Sequence, residues 1–141
     1  MASERVRLTH GRRVLLVDDQ PELLSMMRDT LRRAGYRVCA AKDADTAIRM
    51  YRQHAGHVAV CVVDAVLPGS DQGALLKEIT GLDAETGLIL TSGFSREYVR
   101  SFVPLGAWGF LQKPFEADQF LEAVNEAVLR RAERERGSAV G

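Results

Sequence analysis

Short apolar runs alternate along the chain with stretches whose apolar residues recur every three or four positions. The runs that predict strands lie at residues 14–17, 38–41, 58–63, 88–90 and 109–111. The first, third and fourth runs are continuously apolar, which is typical of strands buried on both faces of a parallel sheet. The pattern therefore predicts five short strands, of which at least three are central.

Amphipathic patterns follow each of these runs. The first begins after Pro21 and ends at Gly35, the positions where proline and glycine flank helices. The other patterns lie at residues 44–51, 75–79, 95–102 and 120–128, and the fourth is the weakest. Repeated strand–helix alternation implies right-handed crossovers. The predicted fold is a doubly wound α/β domain with a five-stranded parallel sheet and helices on both faces.

Composition narrows the classes of function. The 141 residues include 19 Lys+Arg and 19 Asp+Glu, a balance that argues against binding to nucleic acid or to a membrane surface. No apolar run approaches the roughly 20 residues needed to cross a bilayer, and the first nine residues lack a secretory signal's apolar core. Cys39 and Cys61 lie among small apolar residues, as expected for buried thiols in a reducing compartment. These features predict a cytoplasmic protein.

Polar residues follow four of the predicted strands. Asp18 and Asp19 follow the first, Asp64 the third, Ser92 the fourth and Lys113 the fifth. Alone, each of them is a common helix cap or turn residue. Together they matter, because a doubly wound sheet places its functional site outside the carboxyl ends of its strands. We expect these side chains to meet at one edge of the sheet.

The negative charge of three carboxylates at one edge of the sheet needs compensation. Two carboxylates about 4 Å apart repel by roughly 4 kcal/mol at an effective dielectric constant of 20. Asp18, Asp19 and Asp64 therefore need a proton, a cation or the Lys113 ammonium. An all-oxygen site favours a hard divalent ion, and we expect Mg²⁺, which binds one or two carboxylates together with phosphate oxygens.

The segments VLLVDDQPELL, VCVVDAVLPG, LTSG and FLQKPF occur in this order and spacing. Together they resemble the receiver domain of bacterial two-component response regulators, over about residues 13–130. Both the single-domain, chemotaxis-regulator-like receivers and the receivers of hybrid histidine kinases are similar. The resemblance implies a flavodoxin-like sheet with strand order 2-1-3-4-5.

The resemblance also implies roles for the residues at the sheet edge. Asp64 matches the phosphoacceptor aspartate, and Asp18 and Asp19 match the acidic pair that holds Mg²⁺. The backbone carbonyl of Val66 would be a further metal ligand. Lys113 matches the phosphate-binding lysine, and its bond to the following proline is expected to be cis.

Two further positions match the switch of the family. Ser92, which precedes a small residue, corresponds to the hydroxyl residue that bonds the phosphoryl group. Phe110 corresponds to the aromatic residue that turns when this hydroxyl moves. The resemblance implies that this movement alters the face made by the fourth predicted helix, the fifth strand and the fifth helix.

A receiver would take its phosphoryl group from a sensor histidine kinase or a histidine phosphotransfer protein. It would then act on an unknown downstream target or form a homodimer through its switch face. Its only chemistry would be self-phosphorylation and autodephosphorylation, so we do not expect an enzyme.

Three alternative functions fit part of this pattern. A phosphatase or phosphotransferase of the haloacid-dehalogenase type needs a second aspartate two residues after its nucleophile, where this chain has Val66. A flavodoxin-like cofactor binder needs a phosphate loop after the first strand, where Asp18 and Asp19 would repel phosphate. A receiver-like module that only binds proteins would not need the complete set of polar residues.

The chain departs from the family pattern at three positions near Asp64. Gln72 stands where glycine is usual, so the loop before the third predicted helix can take another shape. Val66 and Phe94 are apolar at the positions that flank the phosphoryl group and order the hydrolytic water when polar. These two residues predict a long-lived phosphoaspartate.

The boundaries follow from the same patterns. We expect an N-terminal tail at 1–12, a receiver domain at 13–131, and a charged helix end and tail at 132–141. The last helix is expected to end at Gly137. Nothing after residue 131 suggests a DNA-binding or enzymatic module. We therefore expect either a stand-alone regulator or the receiver of a larger protein.

Overall fold

The computed structural model describes residues 3–94 and 96–140. Its five strands correspond to the five apolar runs and extend each by one to three residues. They are β1 (Arg13–Val17), β2 (Arg37–Ala41), β3 (Val58–Asp64), β4 (Gly87–Ser92) and β5 (Gly109–Gln112). All neighbouring pairs are parallel, in the order β2-β1-β3-β4-β5. The predicted fold and strand order are confirmed.

Within the described part of the chain, six α-helices and a short 3₁₀ turn connect and flank these strands. They are α1 (Glu4–Arg7), α2 (Pro21–Arg33), α3 (Ala44–Gln53), α4 (Gln72–Leu82), α5 (Arg96–Arg100), the turn Val103–Leu105 and α6 (Ala117–Val140). Because α1 precedes the first predicted helix, the helices predicted as fourth and fifth are α5 and α6. Ser95, where the fourth pattern begins, lies outside the described residues.

The helices cover both faces of the sheet. On one face, Ala47 and Tyr51 of α3 and Leu76 of α4 pack against the sheet, and on the other Leu31 of α2 and Phe120 of α6 do so. Each of these side chains is at most 1% exposed. Fully burying a large apolar side chain contributes about 1.5–3 kcal/mol, so these faces supply most of the driving force for folding. Every residue of β3 is buried, which explains its continuous apolar sequence.

The N-terminal segment is more than the expected tail. Residues 4–7 form α1, and Val6 packs against the layer that contains α6. Arg12 is 9% exposed, and its guanidinium binds the Glu135 carboxylate at 2.8 Å and 3.2 Å. Periodicity did not reveal this segment, because one helical turn is too short to show a repeat.

The end of α6 also differs from the expectation. The helix does not stop at Gly137 but continues to Val140, and Gly137 does not take the positive φ typical of a terminating glycine. Residues 131 and 132 are buried, so the charged helix end is not simply solvated. No helix among the described residues is long and apolar enough to span a membrane.

Candidate functional site

The carboxyl ends of the central strands bring three acidic side chains together. Asp18 and Asp19 follow β1 directly, and Asp64 is the last residue of β3, the strand beside it. One carboxylate oxygen from each of the three lies within 4.8 Å of those from the other two. Asp18 is fully buried and Asp64 is 6% exposed. The predicted acidic cluster is therefore present at the predicted edge.

Lys113 reaches this cluster from the end of β5. Its Nζ lies 2.8 Å from Asp18 Oδ2, 3.0 Å from Asp64 Oδ2 and 3.2 Å from Gln20 Oε1. The Lys113–Pro114 peptide is cis, as the resemblance implies. One ammonium thus compensates two carboxylates, and with Asp19 the cluster keeps an excess of negative charge.

Burial and charge act against each other at this site. Burial raises the pKa of the Asp64 carboxyl, and the charge of Asp18 adds to that rise; the bonds from Val66 N–H and Lys113 oppose it only in part. Burial lowers the pKa of Lys113, but its contacts with Asp18 and Asp64 outweigh burial, so its pKa is raised. At neutral pH the lysine stays charged, and the ionised Asp64 is less stable than a carboxylate in water.

Backbone amides hold the carboxylates in defined orientations. Asp18 Oδ1 accepts a hydrogen bond from Gln20 N at 2.8 Å, and Asp64 Oδ1 accepts one from Val66 N at 2.9 Å. Asp64 therefore uses one oxygen for the Val66 amide and the other for Lys113. Its carboxylate is fixed before any ligand arrives, which is the preorganisation that group transfer requires.

A cleft of about 620 Å³ opens onto Asp64, Asp19 and Lys113. Its rim is apolar, with Val66 38% exposed and Phe94 56% exposed. The cleft gives a substrate access to the carboxylate, while the apolar side chains of Val66 and Phe94 offer no polar group to orient water there. The predicted role of the Val66 carbonyl as a metal ligand stays a prediction.

The two predicted switch residues lie on the neighbouring strands β4 and β5, near the carboxyl edge of the sheet. Ser92 ends β4, is 1% exposed, and accepts a hydrogen bond from Phe94 N at 2.9 Å through its Oγ. Phe110 pairs with Leu90 in the β4–β5 register and packs on the layer that contains Leu90. Side chains alternate along a strand, so Ser92 and Phe110 belong to the same sheet face. Their coupling remains a prediction.

The acidic cluster has the donor set of a hard divalent cation. Three carboxylates supply only oxygen ligands, and the described residues place no histidine or cysteine with them. Such ligands fit Mg²⁺ better than Zn²⁺ or copper, which favour nitrogen and sulfur. The residues present therefore fit the expected ion.

Two glutamines near the site were missed by sequence reasoning. Gln20 Oε1 accepts a hydrogen bond from Lys113 Nζ. The only sign of this role in the sequence is that Gln20 directly follows the acidic pair. The sequence marks Gln72 only as a departure from the family pattern, yet its side chain is buried and its amide bonds the main-chain carbonyl of Asp64. The only sign of this contact in the sequence is that Gln72 is polar at a position where the family usually has glycine.

Comparison with known proteins agrees with this geometry. The family model of the response regulator receiver domain matches residues 14–125, most of the chain. The chain belongs to the response regulator receiver family.

Relatives of this receiver differ in overall length. It is 33% identical over 118 residues to the chemotaxis protein CheY of Bacillus subtilis, covering 82% of this chain and 97% of CheY. It is 37% identical over 125 residues to the C4-dicarboxylate transport transcriptional regulatory protein DctD of Pseudomonas aeruginosa, covering 82% of this chain but 25% of DctD. The similarity to DctD thus concerns a quarter of that protein.

Solved structures show the same fold. The receiver domain of the hybrid histidine kinase CckA superposes with a TM-score of 0.70 at 28% identity, covering 82% of this chain and 98% of that domain. NtrX from Brucella abortus gives a TM-score of 0.85 at 26% identity, covering 93% of this chain and 30% of NtrX. Proteins of different overall length, and the receiver of a hybrid histidine kinase, are therefore similar to this chain.

Proposed function

We propose that Asp64 accepts a phosphoryl group from a phosphohistidine of a sensor kinase or histidine phosphotransfer protein. The observation that carries this proposal is the Lys113 ammonium, which contacts both Asp64 and Asp18 beside an open cleft. An isolated structural ion pair would need one carboxylate, not three. Membership of the receiver family supports the same assignment.

The reaction follows from the arrangement of these groups. An Asp64 carboxylate oxygen attacks phosphorus, the P–N bond to the histidine breaks, and the imidazole leaves with the bonding electron pair. The product is an acyl phosphate on Asp64. Lys113 offsets negative charge on the phosphoryl oxygens, so the chain contributes mainly positioning and electrostatic stabilisation. We infer a regulator with no turnover chemistry beyond self-phosphorylation and autodephosphorylation.

Mg²⁺ is the ion we propose for the acidic cluster. Asp18, Asp19, Asp64 and the Val66 carbonyl would hold it. When bound, it would neutralise charge on the carboxylates and on the incoming phosphoryl oxygens. Asp19 is the exposed member of the cluster, so it remains accessible from solvent while Asp18 is enclosed.

Phosphorylation would change the surface formed by α5, β5 and α6. A phosphoryl group brings roughly −1.5 to −2 charge and three acceptor oxygens to Asp64. We propose that Ser92 gives up its bond to Phe94 N to reach these oxygens, and that Phe110 turns into the space it leaves. The altered face would bind a downstream protein or a second copy of the chain in the cytoplasm.

Mass spectrometry tests the phosphoacceptor. After incubation with acetyl phosphate and Mg²⁺, we expect an added mass of about 80 Da, the mass of one phosphoryl group. Asp64→Ala removes the acceptor and should abolish the adduct. Asp45→Ala, which changes an exposed aspartate on α3, is the matched control and should keep it. An adduct that persists in Asp64→Ala would contradict the proposal.

A further inference from the structure

Gln72, the first residue of α4, has a buried side chain directly behind the phosphoacceptor. The residue is 5% exposed. Its Nε2 donates to the main-chain oxygen of Asp64 at 2.5 Å, and its Oε1 accepts from the Ser70 hydroxyl. Both ends of the amide are thus used within the loop that joins β3 to α4.

The Gln72 side chain extends from a rigid base. The Asp71 carboxylate caps α4 by accepting from Ala74 N at 3.0 Å. Leu76 and Ile79, further along α4, are fully buried in the core. The backbone of Gln72 is therefore held by a capped and packed helix, and its side chain reaches back to the strand end.

The bond to Asp64 completes the hydrogen bonding of one peptide unit. In the peptide between Asp64 and Ala65, the N–H of Ala65 donates to Thr91 O at 2.8 Å, on the neighbouring strand β4. The carbonyl oxygen of the same peptide accepts from Gln72. Because a peptide unit is planar, bonds at both of its ends restrict its rotation.

This peptide lies next to the two groups on which the proposed cation depends, the Asp64 carboxylate and the Val66 carbonyl. On one side it is attached to the Cα of Asp64, from which the carboxylate extends. On the other side, one residue later, lies Val66, whose N–H holds Asp64 Oδ1 at 2.9 Å. A tilt of the peptide would move both the carboxylate and the Val66 carbonyl.

We propose that Gln72 is a positioning residue, whose amide clamps the Asp64–Ala65 peptide and so presets the loop for the divalent cation. The proposal rests on the proposed function, since it concerns metal binding at the same site. Gln72 bonds the main-chain oxygen of Asp64 and not its carboxylate. The family usually has glycine at this position, which leaves the backbone flexible. In this chain, Gln72 provides a fixed side-chain contact there.

Two variants separate the contacts of the clamp. Gln72→Met keeps an unbranched side chain of similar length but removes the donor and the acceptor. Ser70→Ala keeps the amide and removes only the hydroxyl that orients it. We expect the larger effect from Gln72→Met and a smaller one from Ser70→Ala.

The first measurement needs no metal. Amide hydrogen exchange by NMR on the metal-free protein should show Ala65 and Val66 exchanging about tenfold faster in Gln72→Met, while β1 amides keep their rates. The second measurement is Mg²⁺ affinity by calorimetry. It should weaken by about tenfold, the lower end for residues that support metal ligands.

Thr86→Val is the matched control. Thr86 is buried away from the site and its hydroxyl bonds Tyr51 Oη at 2.5 Å, so this variant also removes a buried side-chain hydrogen bond. It should lower stability without changing exchange at Ala65 and Val66 or Mg²⁺ affinity. If Thr86→Val weakens Mg²⁺ binding as much as Gln72→Met does, the positioning role is wrong.

The outcomes for the two proposals are distinguishable. If the unchanged protein does not bind Mg²⁺, the proposed function fails, and the exchange rates alone decide whether the clamp exists. If it binds Mg²⁺ and both variants show unchanged exchange and affinity, the clamp is refuted while the proposed function stands. Should Gln72→Met not fold, the exchange rates of Ser70→Ala decide.

Discussion

Two ionic clusters lie at opposite ends of the same sheet and differ in charge balance. The carboxyl-edge cluster consists of Asp18, Asp19, Asp64 and Lys113. The amino-edge cluster consists of Arg12, Asp83, Arg131 and Glu135. The first has three carboxylates for one ammonium, whereas the second has two guanidinium groups for two carboxylates.

The amino-edge cluster is fully paired. The Arg131 side chain is 7% exposed and binds Asp83 at 2.9 Å, Glu135 at 3.3 Å and the Val58 carbonyl at 2.9 Å. Burial raises the pKa of Asp83, but the Glu85 N–H and the Arg131 charge outweigh burial and lower it. Burial likewise raises the pKa of Glu135, but the contacts with Arg12 and Arg131 outweigh burial and lower it. Folding therefore favours the ionised forms of both carboxyls.

The carboxyl-edge cluster behaves in the opposite way, since burial and Asp18 raise the pKa of Asp64. An ionised Asp64 thus opposes folding, and its charge is available to interact with a cation and a phosphoryl group. The comparison indicates that excess charge marks a site for ligands, whereas balanced charge at similar burial marks a structural contact. Four substitutions or titrations test this difference.

Asp64→Asn has the largest expected effect, because it should abolish phosphorylation. It should also raise the melting temperature of the metal-free protein at pH 7, because it removes a buried charge whose pKa is raised. Mass spectrometry and thermal unfolding measure the two effects. Asp83→Asn is the paired control, for which we expect lower stability and retained phosphorylation. If Asp64→Asn is less stable than the unchanged protein, the conclusion that an ionised Asp64 opposes folding is wrong.

Arg131→Met comes second in size. Removing one partner of a buried, hydrogen-bonded ion pair typically costs about 3–5 kcal/mol, and Asp83 and two main-chain carbonyls would lose their donor. We expect a loss of about 3 kcal/mol in the free energy of unfolding, with phosphorylation retained below the melting temperature. Urea denaturation measures it. The control Arg136→Met changes an exposed arginine of α6 and should have little effect; equal losses would refute the structural role.

The apolar rim of the carboxyl-edge cluster gives the third prediction. In the double variant Val66→Asn and Phe94→Glu, polar groups at the cleft can orient the hydrolytic water, so the phosphoaspartate should decay about tenfold faster. The decay of the phosphorylated mass measures it. Val103→Glu is the control, because Val103 is as exposed as Phe94, at 56%, but does not line this cleft. Equal or slower decay in the double variant would refute shielding by the rim.

Acid titration gives the smallest effect. Because the pKa values of Asp83 and Glu135 are lowered on folding, their contribution is present above the ordinary carboxyl pKa of about 4 and is lost as pH falls through the folded values. Unfolding free energies measured between neutral and acidic pH should show this loss. Arg131→Met should weaken the dependence, since the ionised carboxyls lose their partner. An unchanged pH dependence in that variant would count against the pairing.

Much of the fold could be predicted from the sequence. Continuous apolar runs identified β1, β3 and β4, and helical spacing identified α2, α3, α4 and α6. The rule that sites lie at the carboxyl ends of parallel strands brought Asp18, Asp64 and Lys113 together, and their contacts confirm it. The roles of Ser92, Phe110 and the Val66 carbonyl came from resemblance and remain predictions.

The features that were missed depend on contacts between distant parts of the chain. Arg12 and Glu135 are 123 residues apart, and neither lies in a pattern that indicates the other. The burial of Arg131 depends on where α6 crosses the start of β3. The Gln72 contact depends on the path of the β3–α4 loop. Local periodicity carries no information about such pairs.

The sequence alone determined the succession of strands and helices along the chain and the edge at which the acidic residues meet, because burial imposes a period on each element and parallel strands share one direction. Only the tertiary structure decided which charges are compensated and which are not. Charge balance depends on distances between side chains from several elements, and those distances exist only once the helices have packed on the sheet.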